Sequence, residues 1–217
     1  MGSITRATQL EAAGFEQIRP AIKILAARGA SAMLYGYEPF RHPDLVDIIH
    51  ALREAESDPA GGKPSRVRRI GMRSDAAALV NPQDARGCID LGVRVFEIPL
   101  LTPDMDALST ASPTEASLAG IAGIRAAARA LGKPVFICID LVVCKHTAPQ
   151  FEQAAQAGLA AGVDALRISF DPGLDASRIE GLPAAIAALQ ARATQSSMAL
   201  FGDGCKEFLK GARLYEY

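Results

Sequence analysis

Several features that would place this chain in a functional class at once are missing from its 217 residues. Basic and acidic side chains nearly balance, and the formal net charge of −1 argues against a nucleic-acid-binding surface. No apolar run reaches the roughly 18 residues that a membrane-spanning helix needs. The segment 1–6 lacks the apolar core of a secretory signal. We therefore expect a cytoplasmic protein that binds neither nucleic acid nor membrane.

Cysteine is scarce as well, and no two cysteines form a Cys-x2-Cys pair. The four cysteines are Cys88, Cys138, Cys144 and Cys205. Two of them, Cys138 and Cys144, lie in or at the end of an apolar strand, and Cys88 lies on the apolar face of a predicted helix. This distribution is typical of buried free thiols, so we expect no metal site.

What the sequence does contain is a regular alternation of helices and strands. A predicted helix is followed by glycine and then by an apolar strand at Gly29, Gly92, Gly132 and Gly162. Such alternation indicates βαβ units and a parallel sheet. The predicted strands are 31–35, 67–72, 93–99, 134–143 and 163–170, with a short last strand at 198–201. Since a complete eight-unit barrel needs about 250 residues, we predict an α/β fold with a partial parallel (β/α) barrel of about five to six strands. A doubly wound open sheet is the alternative.

Capping residues predict where the helices begin and end. Pro20 inside the first helix, residues 8–28, implies a kink or a restart near Ile18. Pro43 and Asp44 suit the first turn of the second helix. Two capping boxes, Ser112–Glu115 and Thr147–Gln150, and the pair Asn81-Pro82 open later helices. We expect one domain over residues 1–217, with a core at about 20–172 and a C-terminal extension at 173–217.

The loop after the first predicted strand carries a family resemblance. It reads Gly36-Tyr37-Glu38-Pro39 and continues as His42-Pro43-Asp44-Leu45. This segment resembles the Gly-Gly-Glu-Pro…His-Pro-Asp-Leu segment of radical S-adenosylmethionine (SAM) enzymes. In that family the segment ends the second barrel strand and holds the methionine amino group of SAM.

Later segments resemble the same family in the same order. The segments 95–100, 139–147 and 162–170 resemble its fourth, fifth and sixth strands, so the likeness covers roughly residues 20–172. It implies a radical-SAM-like partial barrel whose first strand is missing. The positions that it implies for cofactor binding are Gly36, Tyr37, Glu38, Pro39, Ser74, Asp140 and Ser169.

The chain also departs from the family at the positions that matter for its chemistry. The family holds a four-iron cluster with Cys-x3-Cys-x2-Cys after the first strand, and here no cysteine precedes Cys88. Tyr37 stands where the family has glycine, and its side chain would fill space that SAM occupies. We therefore expect no iron–sulfur cluster and no other cofactor, only weak SAM binding if any, and no radical chemistry by this chain alone.

Polar side chains remain at the predicted strand ends, which meet at one mouth in a barrel. They are Glu38, Asp75, Glu97, Asp140, Lys145, His146 and Asp171. Asp140 interrupts an apolar strand, so it either contacts a ligand or forms an ion pair with Arg73 or Lys145.

The other polar residues leave alternatives open as well. Glu38 either receives a cationic amino group or caps its loop. Lys145 and His146 either act as amine and base or form a solvated loop. Glu97 is expected to be paired in the core. The candidate catalytic residues are Lys145, Glu38 and Asp140.

Three functional hypotheses follow from these observations. The first is a pseudoenzyme, a radical-SAM-like partner or regulatory subunit of a biosynthetic or modification enzyme. The second is a non-radical, lyase-type enzyme that uses Lys145 with Glu38 or Asp140. The third is a piece of a longer radical SAM enzyme. A missing first strand would leave an open sheet edge, so we expect a homo-oligomer or a heterodimer with a catalytic relative.

Overall fold

A computed structural model describes most of the chain. The described residues are 14–35, 38–57, 65–101, 113–171, 174–175, 178–195 and 199–203. The predictions that concern Gly36, Tyr37, Ser112 and Cys205 therefore lie outside the described residues, as do those for segment 8–13.

Helices and strands alternate along the chain as predicted. The helices are α1 (Phe15–Ala27), α2 (Leu45–Glu54), α3 (Pro82–Leu91), α4 (Pro113–Leu131), α5 (Phe151–Ala160) and α6 (Leu182–Gln195). The strands are β1 (Ala32–Leu34), β2 (Glu56–Ser57), β3 (Ser65–Arg66), β4 (Ile70–Arg73), β5 (Val93–Leu101), β6 (Phe136–Val143), β7 (Ala165–Phe170) and β8 (Ala199–Asp203). The short antiparallel hairpin of β2 and β3 was not predicted.

Six of these strands form one parallel sheet in the order β1-β4-β5-β6-β7-β8. Each strand pairs with the next sheet strand along the chain, and the order never reverses. A doubly wound sheet changes direction after its first strands, so that alternative is wrong. The prediction of a partial parallel (β/α) barrel with five to six strands is confirmed. Within the described residues β1 pairs only with β4, which makes β1 an edge strand.

The helices form a layer on one side of the sheet. Each helix contacts the next one along the chain, from α1 through α6. In β6 the side chains of Ile137, Ile139 and Leu141 are fully buried in the core between sheet and helices. A Cβ atom built on Gly158 of α5 would lie 2.6 Å from Ile139 Cδ1, so this helix packs directly on the strand. The alternate residues of each strand therefore face the inside of the barrel.

The glycines that end the helices were predicted correctly. Gly29, Gly92, Gly132 and Gly162 all have positive φ angles, between 57° and 116°. A side chain strains the backbone in this conformation, whereas glycine adopts it freely and lets the chain turn from helix into strand.

Two helix starts differ from the prediction. Thr147 does not cap a helix: its hydroxyl accepts a hydrogen bond from Cys144 N (2.8 Å) and donates one to Val142 O (2.8 Å). These bonds close a turn, and α5 begins only at Phe151. The second helix begins at Leu45 rather than at Pro43, and the Asp44 carboxylate instead accepts a hydrogen bond from Phe15 N of α1 (3.1 Å).

Pro20 was expected to cause either a kink or a restart near Ile18, and the structure contains no restart. The first helix is continuous from Phe15 to Ala27 with Pro20 inside it. Among the described residues no helix is long and apolar enough to cross a membrane.

Candidate functional site

Four charged side chains lie on the inner face of the barrel, one from each of four neighbouring strands. Arg73 ends β4, Glu97 belongs to β5, Asp140 to β6 and Arg167 to β7. The strand register places Arg73 beside Glu97 and Asp140 beside Arg167. All four side chains meet because their strands are consecutive and their positions have the same inward phase.

The four side chains form a closed set of ion pairs, which we call the inner ion-pair ring. Arg73 Nη1 contacts Asp140 Oδ2 at 2.8 Å and also contacts Glu97 Oε1. Arg167 Nε contacts Asp140 Oδ1 at 3.1 Å, and Arg167 Nη2 contacts Glu97 Oε1. Each arginine therefore bridges both carboxylates, and the formal charges of the ring cancel.

Burial within the ring is uneven. The Asp140 side chain is 3% exposed and Glu97 12%, whereas Arg167 is 24% and Arg73 30% exposed. Burial by itself would lower the pKa of Arg167, but hydrogen bonds and charges from Asp140 and Glu97 raise it above its ordinary value. Arg167 is thus charged, and both arginines lie nearer to solvent than the carboxylates.

Asp140 was expected either to contact a ligand or to form an ion pair. In the structure it forms ion pairs, and Arg73 is one of its two partners. Lys145, the other suggested partner, is exposed in the turn after β6. Arg167, the second partner, was missed by the sequence analysis. Its signal was present: Arg167 is a charge in the apolar strand 163–170, at the same phase as Ser169. Glu97 is paired, as predicted.

Glu38 joins two loops at the mouth of the barrel. Its Oε1 accepts a hydrogen bond from Phe40 N (3.2 Å), and its Oε2 accepts one from Asp75 N (3.0 Å). Burial raises the pKa of Glu38, and the hydrogen bonds from Asp75 N, Ser74 and Phe40 N offset only part of that effect. The carboxylate therefore holds the loop after β1 against the loop after β4.

The loop after β4 is held tightly by helix α4. Ala76 is buried with φ 64°, a strained conformation for a residue with a side chain. The Ser117 hydroxyl donates to Asp75 O at 2.7 Å. A Cβ atom on Gly120 would lie 2.1 Å from Ala76 O, so only glycine allows this approach. The position of Ser74 and Asp75 at the mouth is thus fixed from outside the barrel.

The remaining predicted site residues are spread around the mouth. Lys145 and His146 are both exposed in the turn after β6. Pro39 is buried at the start of a short helical turn, and Ser169 is half-buried on the inner face of β7. The structure thus brings Glu38 together with Ser74, and Asp140 together with Arg73. It does not bring Lys145 to either carboxylate.

The described cysteines are buried and free. They are Cys88, Cys138 and Cys144. Burial raises the pKa of Cys88 to about 11 and that of Cys138 to about 12, so both are protonated thiols at neutral pH. Within the part of the chain that the structure describes, no three His, Cys, Asp or Glu side chains are arranged to hold a metal ion.

Comparisons with known proteins match the fold but no sequence family. No protein-family model and no curated protein sequence matches the chain. Among solved structures, Streptococcus suis SuiB bound to the precursor peptide SuiA has a TM-score of 0.60 and is 14% identical, with 94% of this chain and 45% of that chain covered. SuiB bound to S-adenosylmethionine has a TM-score of 0.55 and is 13% identical, with 88% and 44% covered.

A second group of similar structures comes from the PEP mutase/isocitrate lyase superfamily. The structure of 2,3-dimethylmalate lyase, a PEP mutase/isocitrate lyase superfamily member, has a TM-score of 0.53 and is 13% identical. The alignment covers 90% of this chain and 68% of that chain. At such low identity both groups establish the α/β barrel architecture alone, and this chain spans less than half of the SuiB chain.

Proposed function

We propose that this chain is a radical-SAM-like barrel that acts as a non-catalytic partner or regulatory subunit of a biosynthetic or modification enzyme. The observation that carries the proposal is the inner ion-pair ring, in which Asp140 and Glu97 are paired with arginines. Both carboxylate oxygens of Glu38 likewise accept hydrogen bonds from backbone N–H groups of two loops. The carboxylates expected to do chemistry are thus engaged in holding the barrel mouth together.

The resemblance in the segment 36–45 and the similarity to SuiB, a radical SAM enzyme, support the choice of family. A four-iron cluster needs clustered thiolates, and the first cysteine of residues 1–217 is Cys88, so these residues by themselves offer no site for the cluster. Reductive cleavage of SAM by this chain alone would lack its electron donor.

Calorimetric titration with SAM, with iron and sulfide assayed on the same anaerobically reconstituted sample, tests this proposal. We expect weak or absent SAM binding and no stable four-iron cluster. Tyr37→Gly should strengthen SAM binding, because it restores the glycine of the family motif. Tyr35→Gly is the matched control, since Tyr35 is 67% exposed beside the same loop. A stable cluster on the wild-type chain would refute the proposal.

A lyase-type enzyme is the second candidate, and the similarity to 2,3-dimethylmalate lyase favours it. In this chain the amine would come from Lys145, with Glu38 or Asp140 as the acid–base group. The exposed position of Lys145 weighs against this role, since a catalytic amine is usually desolvated. Incubation with pyruvate and borohydride, followed by mass spectrometry, tests whether Lys145 forms a Schiff base. A covalent adduct on Lys145 that is absent in Lys145→Arg would favour the lyase.

The third candidate is a piece of a longer radical SAM enzyme, and the 45% coverage of SuiB is the observation behind it. Inspection of the neighbouring reading frames separates it from the first. A Cys-x3-Cys-x2-Cys segment encoded directly upstream in the same frame would favour this reading and remove the need for a separate catalytic partner.

A further inference from the structure

The two arginines of the inner ion-pair ring use their donors differently. Arg167 forms an ion pair with Asp140 through Nε and another with Glu97 through Nη2. Arg73 makes both of its ion pairs through Nη1 alone. Among the described residues, Nε and Nη2 of Arg73 therefore have no hydrogen-bond partner. These two atoms form the edge of a guanidinium that donates two parallel N–H bonds.

The free edge belongs to the more accessible arginine. The Arg73 side chain is 30% exposed, and Arg73 is the last residue of β4, at the carboxyl edge of the sheet. Ligands of parallel α/β proteins bind at this edge. The nearest inward position on the same strand is Gly71, and the Met33 side chain of β1 packs over it, with Met33 Sδ 2.9 Å from a Cβ atom built on Gly71.

The ring also holds Arg73 in place before any ligand arrives. Its Nη1 is fixed between Glu97 and Asp140, and Asp140 is in turn fixed by Arg167. A guanidinium immobilised in this way loses little side-chain entropy on binding. The two ring carboxylates neutralise the two arginines, so affinity for an anion must come from hydrogen-bond geometry rather than from net charge.

We propose that the Nε/Nη2 edge of Arg73 is a binding site for a small carboxylate anion or for the carboxylate of a larger ligand. A planar carboxylate accepts two parallel N–H bonds at this edge. Arg167 acts as the positioning residue, because it keeps Asp140 on Arg73 Nη1. This site goes beyond the proposed function, since it holds for a catalytic and for a non-catalytic barrel.

Titration with acetate, followed by NMR of the arginine Nε–H groups, tests the site directly. We expect a saturable shift of the Arg73 Nε–H, with the Arg167 Nε–H unmoved because that donor is already bonded to Asp140. Sodium chloride at matched ionic strength should not reproduce the shift. A shift that does not saturate, or equal shifts with chloride, would overturn the proposal.

A variant pair separates this site from general ionic effects. Arg73→Lys keeps one positive charge for the ring but removes the two-donor edge, so acetate affinity, read from the backbone amides of residues 73–75, should fall at least tenfold. Arg53→Lys changes an exposed arginine that bonds Leu91 O instead, and should leave acetate affinity unchanged. Unaltered affinity in Arg73→Lys would overturn the proposal. Should Arg73→Lys fail to fold, the comparison of the two wild-type Nε–H groups still decides.

Discussion

At the residue scale, Asp140 has both carboxylate oxygens in separate ion pairs, with Arg73 and Arg167, at 3% side-chain exposure. A carboxylate buried in an apolar strand is costly unless it is paired. The pairing explains how β6 tolerates a charge in its middle. It also means that removing one member leaves the others uncompensated.

We predict that Asp140→Ala lowers the free energy of unfolding by about 3–5 kcal/mol, the usual cost of breaking a buried ion pair. Urea denaturation measures it. Asp90→Ala is the control, since Asp90 pairs with Lys133 on the exposed surface and should change stability little. A small loss in Asp140→Ala, together with weaker binding of a ligand, would instead assign Asp140 to a binding site.

Glu38 gives the chain a predictable pH dependence. Its folded pKa is raised by burial, so between its unfolded and folded pKa values the folded state binds more protons than the unfolded state. The contribution of Glu38 to the free energy of unfolding should therefore decrease as pH rises from about 4.5 through the folded pKa.

Unfolding measured at several pH values between 4 and 8 tests this, with Glu38→Gln compared with the wild type. Glu38→Gln should lack the part of the decrease in the free energy of unfolding that Glu38 causes as pH rises. Glu16→Gln, which changes an exposed glutamate of α1, should retain it. Parallel pH profiles for the wild type and Glu38→Gln would show that the two loops do not depend on the ionisation of Glu38.

At the scale of secondary-structure elements, helix α4 decides the shape of the mouth. It contacts the loop after β4 through Gly120 and Gly123, whose missing side chains let the backbone of Ala76 and Leu79 approach. The strained φ of Ala76 is maintained by this packing and by the Ser117 hydrogen bond. A change in α4 should thus reach Glu38 through Asp75.

We predict that Gly120→Ala is destabilising by about 1–3 kcal/mol or more, because the new methyl group would overlap Ala76 O. Gly87→Ala is the matched control: Gly87 lies in helix α3 with open space around it, so alanine should stabilise the chain by about 0.4–1 kcal/mol. Denaturation midpoints measure both. Equal effects of the two substitutions would mean that α4 can move away from the loop.

At the scale of the whole molecule, the sheet is an open segment of a barrel, and β1 lies at its edge in the described residues. Ala32 N donates to Arg69 O of the neighbouring segment. Since alternate residues of a strand direct their N–H groups to opposite edges, Met33 directs its N–H to the open edge. Met33 and Tyr35 are also exposed apolar side chains. Such an edge favours association with another chain.

We therefore predict a homo-oligomer or a heterodimer with a catalytic relative. Sedimentation at tens of micromolar, and identification of proteins that co-purify from the native host, measure it. Met33→Pro removes the outward N–H and should weaken association, whereas Val46→Ala, at an exposed position of α2, should not. A monomeric wild type without a co-purifying partner would contradict the prediction.

The order of the helices and strands, and most of their limits, follow from local patterns in the amino-acid sequence. The glycines at 29, 92, 132 and 162 end helices because a positive φ suits glycine, and this requirement is local. Apolar strands between them predict a sheet buried on both faces, but in the described residues the helices cover one face and the inner ion-pair ring lies on the other. The partial barrel follows from the element order and chain length, both of which are visible without a structure.

Which charged side chains meet depends on contacts between strands that are distant in the sequence. Arg167 and Asp140 are 27 residues apart, and Arg73 and Glu97 are 24 apart, so only strand order and register bring the four together. Thr147 differs, because its partners Cys144 N and Val142 O lie only three and five residues away, so its hydroxyl closes a local turn instead of capping a helix. Local sequence patterns determine the backbone conformation of each element. The pairing of charged side chains across strands depends instead on the order and register of several strands, which no single segment of the sequence contains.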